Sequence, residues 1–105
     1  MIIIETSIFT RQVVSLLPDD EYRKLQVLLA NRPTAGDLIR GSGGLRKIRW
    51  ALPGQGKRGG VRVIYYWAVT HERLLMLFMY PKTERGDLTP EQIKVLRQII
   101  ETEYP

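Results

Sequence analysis

The chain has 105 residues, no cysteine and a single histidine, His71. That excludes disulfides, thiolate metal sites, a cysteine nucleophile and any multi-histidine metal centre. A formal charge of +5 and a pI near 9.8 favour an anionic partner: nucleic acid first, an acidic protein segment second, a membrane surface third.

An apolar fraction of 44% suits one folded domain over residues 1–105, with a single modest core. The opening Met1–Glu5 lacks the basic segment and long apolar run of a signal peptide. The longest apolar run, Leu74–Tyr80, is too short to span a bilayer. The expectation is a cytoplasmic protein with no membrane partner.

Met1–Glu5 reads as a short β-branched strand. Thr6 or Ser7 can cap a helix carrying Ile8, Phe9, Val13, Leu16 and Leu17. Pro18-Asp19-Asp20-Glu21 ends it and opens another, whose acidic residues suit the positive end of the helix dipole. Tyr22, Leu25, Leu28 and Leu29 recur at helical spacing, and Asn31-Arg32-Pro33 stops the run. The two helices should form a hairpin over one face of a sheet.

A glycine-rich loop over Thr34–Gly44 leads to two strands, at about Leu45–Leu52 and Val61–Ala68. Thr70–Arg73 is a tight connection into Leu74–Tyr80, a strand apolar on both faces. Pro81–Asp87 is a polar turn. Thr89-Pro90-Glu91-Gln92 combines a threonine cap, proline at N1 and glutamine at N3, and so starts a helix. Ile93, Leu96, Ile99 and Ile100 form its buried stripe, up to about Glu103. The order β-α-α-β-β-β-α predicts an α+β fold: an antiparallel sheet packed by an N-terminal helical hairpin and a C-terminal helix.

Charge is concentrated in the middle of the chain. Arg40, Arg46, Lys47, Arg49, Lys57, Arg58 and Arg62 lie between Leu38 and His71, a window without Asp or Glu. Strand side chains alternate between faces. With Leu52 roughly opposite Val61, one face carries Ile48, Trp50, Val61, Val63, Tyr65 and Trp67, with Arg46 near its end. The other carries Lys47, Arg49, Arg62, Ile64 and Tyr66. A slip of one residue would move Arg62 among the apolar side chains, so this sorting selects the register. One face is core; the other is three cations beside Tyr66, the one aromatic left to stack on a base. Cations on a sheet face are often merely solvated, but three converging without a carboxylate repel one another and favour an anion site.

Gly54-Gln55-Gly56-Lys57-Arg58-Gly59 matches G-x-G-x-x-G literally. A dinucleotide fold needs a helix directly after it, and here a strand follows. A kinase-type phosphate loop would need His-Arg-Asp and Asp-Phe-Gly, which the chain lacks. The loop reads instead as a hairpin connection from which Lys57 and Arg58 contact phosphates.

Three blocks carry a family likeness: Gly36–Arg49, Gly56–Tyr66 and Tyr80–Thr89. Together they resemble the RelE/HigB family of bacterial toxins, most closely its HigB branch, over nearly the whole chain. The resemblance implies a ribosome-dependent endoribonuclease that cuts mRNA in the ribosomal A site, with no cofactor. It implies a cognate antitoxin as partner, often with a helix-turn-helix that binds operator DNA. Position by position, Lys47 and Arg49 take the places of the two cations on the second strand, Arg62 that of the arginine opening the third, and Lys82 falls in the basic turn after the fourth. Some members have a catalytic tyrosine near the start of the last helix, where this chain has Leu88 and Thr89.

The chemistry such a site would perform is attack of an RNA 2′-hydroxyl on the adjacent phosphate. Arg62 and Arg49 are expected to clamp the phosphorane, and Lys47, among like charges, to serve as general acid or base. Tyr66, Tyr80 and Glu84 are reserves for proton transfer or stacking. Arg40, Arg46, Lys57 and Arg58 are expected to bind ribosomal RNA. Two other readings stand beside this one: a protein-binding toxin of the same superfold, of the gyrase-poison type, and an RNA-binding module that does not cut.

Overall fold

The computed structural model describes residues 1–52, 60–83 and 86–104. The elements follow the expected order: β1 (Ile2–Glu5), α1 (Ser7–Leu16), α2 (Asp19–Asn31), β2 (Asp37–Leu38), β3 (Leu45–Trp50), β4 (Val61–Ala68), β5 (Arg73–Pro81) and α3 (Pro90–Glu103). The two-residue β2 is an addition, inside the segment expected to be loop.

The sheet order is β1-β5-β4-β3-β2. Neighbours among β2 to β5 are antiparallel, as expected, but β1 joins β5 in parallel, so the sheet is mixed. The chain achieves this by crossing through α1 and α2 before it returns. Thr6 closes the junction. Its hydroxyl accepts from the Phe9 N–H at 3.1 Å as the α1 cap and donates to the Leu77 carbonyl at 2.9 Å. Thr89 caps α3 with a full capping box, its hydroxyl accepting from Gln92 N–H and its own N–H donating to Gln92 Oε1.

Both faces of the sheet are covered. Phe9, Val13, Leu17, Leu25 and Leu29 of the helical hairpin pack on Val61, Val63, Tyr65, Leu74, Met76 and Met79. On the opposite face, Ile93, Leu96, Ile99 and Ile100 of α3 pack on Leu45, Ile64, Leu75 and Leu77. Trp50 and Trp67 are partly buried against the first cluster, as alternation predicts.

The β3–β4 register pairs Trp50 with Val61, Arg49 with Arg62 and Lys47 with Ile64. It differs from the expected pairing by two residues, because β3 stops at Trp50 rather than Leu52. A shift of two leaves every side chain on its expected face. In β4–β5 the ladder pairs Ile64 with Phe78 but Tyr65 with Met76, a bulge that places Leu77 as an extra residue. The bulge reverses the alternation of β5, so Tyr80 rather than Met79 shares a face with Arg62. Gly60 begins the return strand at φ +111°, and a Cβ there would lie 2.5 Å from the Trp50 carbonyl oxygen, so only glycine fits.

Tyr65 ties β4 to the segment before β2. Its buried hydroxyl donates to the Pro33 carbonyl at 2.7 Å and accepts from the Gly36 N–H at 2.8 Å. Burial pushes this phenol above its ordinary pKa, which keeps it a donor. Tyr65→Phe should leave the buried Gly36 N–H without an acceptor and destabilise the fold by about 1–3 kcal/mol, read as a lower urea midpoint at unchanged slope.

Candidate anion site on the sheet

The site grows from the register. Arg49, Arg62 and Tyr80 form one row across β3, β4 and β5, with Lys47 two positions from Arg49 on the same face. Arg49 and Arg62 are direct cross-strand neighbours, an arrangement that like charges oppose.

Lys47 and Arg62 are joined by a carboxylate that alternation could not reveal. Asp87, in the turn before α3, places one oxygen between two cations. Its Oδ1 accepts from Lys47 Nζ at 2.6 Å and from Arg62 Nη1 at 3.1 Å. The expectation of a cluster with no carboxylate nearby is therefore corrected: the window itself has none, and the turn supplies one. Hydrogen bonding and charge from Lys47 hold the Asp87 carboxyl below its ordinary pKa, with smaller contributions from Arg62 and Arg49.

The face is also less open than expected. α3 covers the part of it around Ile64, and the Arg62 side chain is only 9% exposed, against 24% for Lys47 and 76% for Asp87. Arg62 Nε is buried and has no acceptor among the described residues. An unsatisfied donor of this kind costs about 1–3 kcal/mol. Arg62 is thus held at the floor of the site, partly desolvated, while Arg49 is exposed at its edge.

The other expected residues divide. Lys82 directly follows β5, and its N–H donates to the Gly60 carbonyl at 3.3 Å, which places its backbone at the Arg62 end of the sheet. Tyr80 is buried in the row with Arg62. Arg40 lines a recess of about 310 Å³ together with Lys47, Asp87 and Asp37. Arg46 lies on the opposite face and donates from Nη1 to the Gly36 carbonyl at 2.8 Å and the Thr34 carbonyl at 3.3 Å, bracing the loop before β2. Tyr66 lies at the other end of β4, about 13 Å along the strand from Arg62. Its ring faces Tyr104, 6.0 Å between centroids, so it is not beside the cations. Lys57, Arg58 and Glu84 lie outside the described residues. Among the described residues, no group of three His, Cys, Asp or Glu side chains could hold a metal ion. No helix among them is long and apolar enough to cross a membrane.

The fold is that of a small basic α+β protein with a cluster of cations on its central strands. A family model described as the RelE toxin of the RelE / RelB toxin–antitoxin system matches residues 7–103. The chain belongs to the RelE toxin family, the toxin half of a toxin–antitoxin pair, which implies an antitoxin partner.

Asp87 is the group whose titration reports the site. A depressed carboxyl contributes stability above its unfolded pKa, and that contribution is lost as pH falls through the folded value. Carboxyl-carbon NMR should give Asp87 a midpoint below the ordinary 3.8, and Lys47→Gln should raise it more than Arg49→Gln does.

Proposed function

We propose that this toxin is a ribosome-dependent endoribonuclease that cuts translated mRNA in the ribosomal A site, and that it belongs to the HigB branch of its family. The supporting observation is the anion position between Lys47 and Arg62, with Arg49 directly across from Arg62. A phosphodiester offers the charge and geometry that this position selects.

In this reading the RNA 2′-hydroxyl attacks the adjacent phosphate. Arg62, fixed and partly desolvated, holds an oxygen of the phosphorane, and Arg49 reaches it from the exposed side. Lys47 donates to the same group. Lys47 is also the candidate general acid or base of the reaction. Lys82 extends the phosphate contacts from the Arg62 end, and Arg40 and the Lys57–Arg58 pair bind ribosomal RNA. The chain has no histidine pair for acid–base work. The ribosome positions the substrate and supplies part of the rate, which makes cleavage conditional on translation. The partner antitoxin carries a helix-turn-helix, and operator DNA is bound through it alone.

Cleavage of a translated mRNA in a cell extract tests the reading, with gyrase supercoiling measured in parallel. Arg62→Lys keeps the charge but removes the planar fork, and should lower single-turnover cleavage by on the order of 10². A melting transition close to that of the unsubstituted protein would show that the loss is chemical. Undiminished cleavage by the lysine variant removes Arg62 from the site. Inhibited supercoiling without RNA cleavage would replace the reading by the gyrase-poison one.

A further inference from the structure

Asp87 is the one acidic side chain ion-paired to the cation cluster among the described residues, and its placement is unlike that of a supporting residue. A carboxylate that merely orients buried cations is commonly buried with them. Asp87 is 76% exposed, while the cations it joins are 24% and 9% exposed. It lies on the solvent side of Lys47 and Arg62. It also engages Arg62 through Nη1 and puts the same Oδ1 on Lys47. One oxygen shared by a lysine and an arginine is the arrangement that a non-bridging phosphate oxygen would adopt. The recess beside it is about 310 Å³ and is lined by Arg40 and Lys47 as well.

We propose that Asp87 is a specificity-determining residue: an internal anion that occupies the phosphate position of the free toxin and has to be displaced by RNA. The proposal rests on the reading of Lys47 and Arg62 as phosphate ligands. Because the Asp87 side chain is exposed, it can leave the position without displacing any core side chain. A tethered carboxylate competes at an effective concentration on the order of millimolar or above. Free RNA, held by few other contacts, meets that competition with little in reserve. RNA presented by a ribosome, on which the toxin is already docked, arrives at a comparable effective concentration and displaces it. Asp87 thereby discriminates between the two presentations of the same phosphate and lowers affinity for stray RNA. No bond is made or broken in this step; one ion pair is exchanged for another.

A control is built into the recess. Asp37 lies opposite Lys47 in the β2–β3 register and lines the same recess, yet it makes no ion pair among the described residues. Asp37→Asn and Asp87→Asn raise the net charge equally, but only the second removes the competitor.

The test uses the full chain and a fluorescein-labelled RNA oligonucleotide with 2′-deoxy substitution, which cannot be cut. Its dissociation constant is measured by anisotropy for the unsubstituted protein and for Asp87→Asn, Asp37→Asn, Lys47→Gln and Arg62→Gln, each checked for a normal melting transition. Asp87→Asn should tighten binding by about tenfold, clearly more than Asp37→Asn, and Lys47→Gln should weaken it. With cleavable RNA, Asp87→Asn should stimulate cutting of the free oligonucleotide more than cutting of ribosome-bound mRNA at saturation. If Lys47→Gln weakens binding while Asp87→Asn leaves it unchanged or weaker, Asp87 positions the cations and the proposal is overturned. An equal gain from both asparagine variants reduces it to a net-charge effect and overturns it as well. If neither Lys47→Gln nor Arg62→Gln changes binding, the phosphate site itself has been misassigned, and the proposal goes with it.

Discussion

A guanidinium that is nearly out of water must find an anion. Arg62 opens the central strand β4 with its side chain 9% exposed, and its cross-strand neighbour Arg49 carries the same charge. Burial of a charge without a partner is among the more costly things a fold can contain. The single oxygen of Asp87 is therefore the contact on which the site depends. It neutralises part of the field of three cations, and it does so from a turn rather than from the sheet.

That turn is fixed by the packing of α3. The Thr89 capping box sets where the helix begins, three residues after Asp87. Ile93, Leu96, Ile99 and Ile100 then seat the helix on Leu45, Ile64, Leu75 and Leu77. The same contacts that complete the second core cluster thus deliver the carboxylate to the cations. Core and site are not separable on this face: Ile64 packs under α3 two positions from Arg62, and the bulge at Leu77 brings Tyr80 into Arg62's row. On the other face the helical hairpin covers a largely apolar surface, and Arg46 turns its charge to the carbonyls of Thr34 and Gly36.

Much of this was legible in the residues. From Lys47 to Trp50 charged and apolar side chains alternate along β3 and in step with β4, so the faces follow from parity even though the pairing differs by two. The Thr6 and Thr89 caps were readable because capping chemistry is local. What was hidden lacks either phase or locality. Leu74–Tyr80 is apolar throughout, so nothing in it marks the bulge or says which of Met79 and Tyr80 meets Arg62. The parallel seat of β1 depends on the path of the crossover rather than on Ile2–Glu5. Asp87 lies 40 residues from Lys47 and 25 from Arg62. A turn rich in polar residues gives no sign of which one folds back. The burial of Arg62 was missed for a related reason: alternation assigns a face but does not say what else covers it.

The arrangement also bears on which state of an RNA substrate the site would favour. A phosphodiester carries one negative charge, whereas the phosphorane formed on 2′-hydroxyl attack carries more, spread over its equatorial oxygens. Cross-strand repulsion between Arg49 and Arg62 is relieved in proportion to the negative charge placed between them. Once Asp87 has left the position, Arg62 itself would need no rearrangement, because it is already fixed and partly stripped of water. In that reading, the charge excess that makes the strand pair unfavourable by itself would be the source of its catalytic use, and Asp87 would make the folded resting state tolerable until that charge arrives.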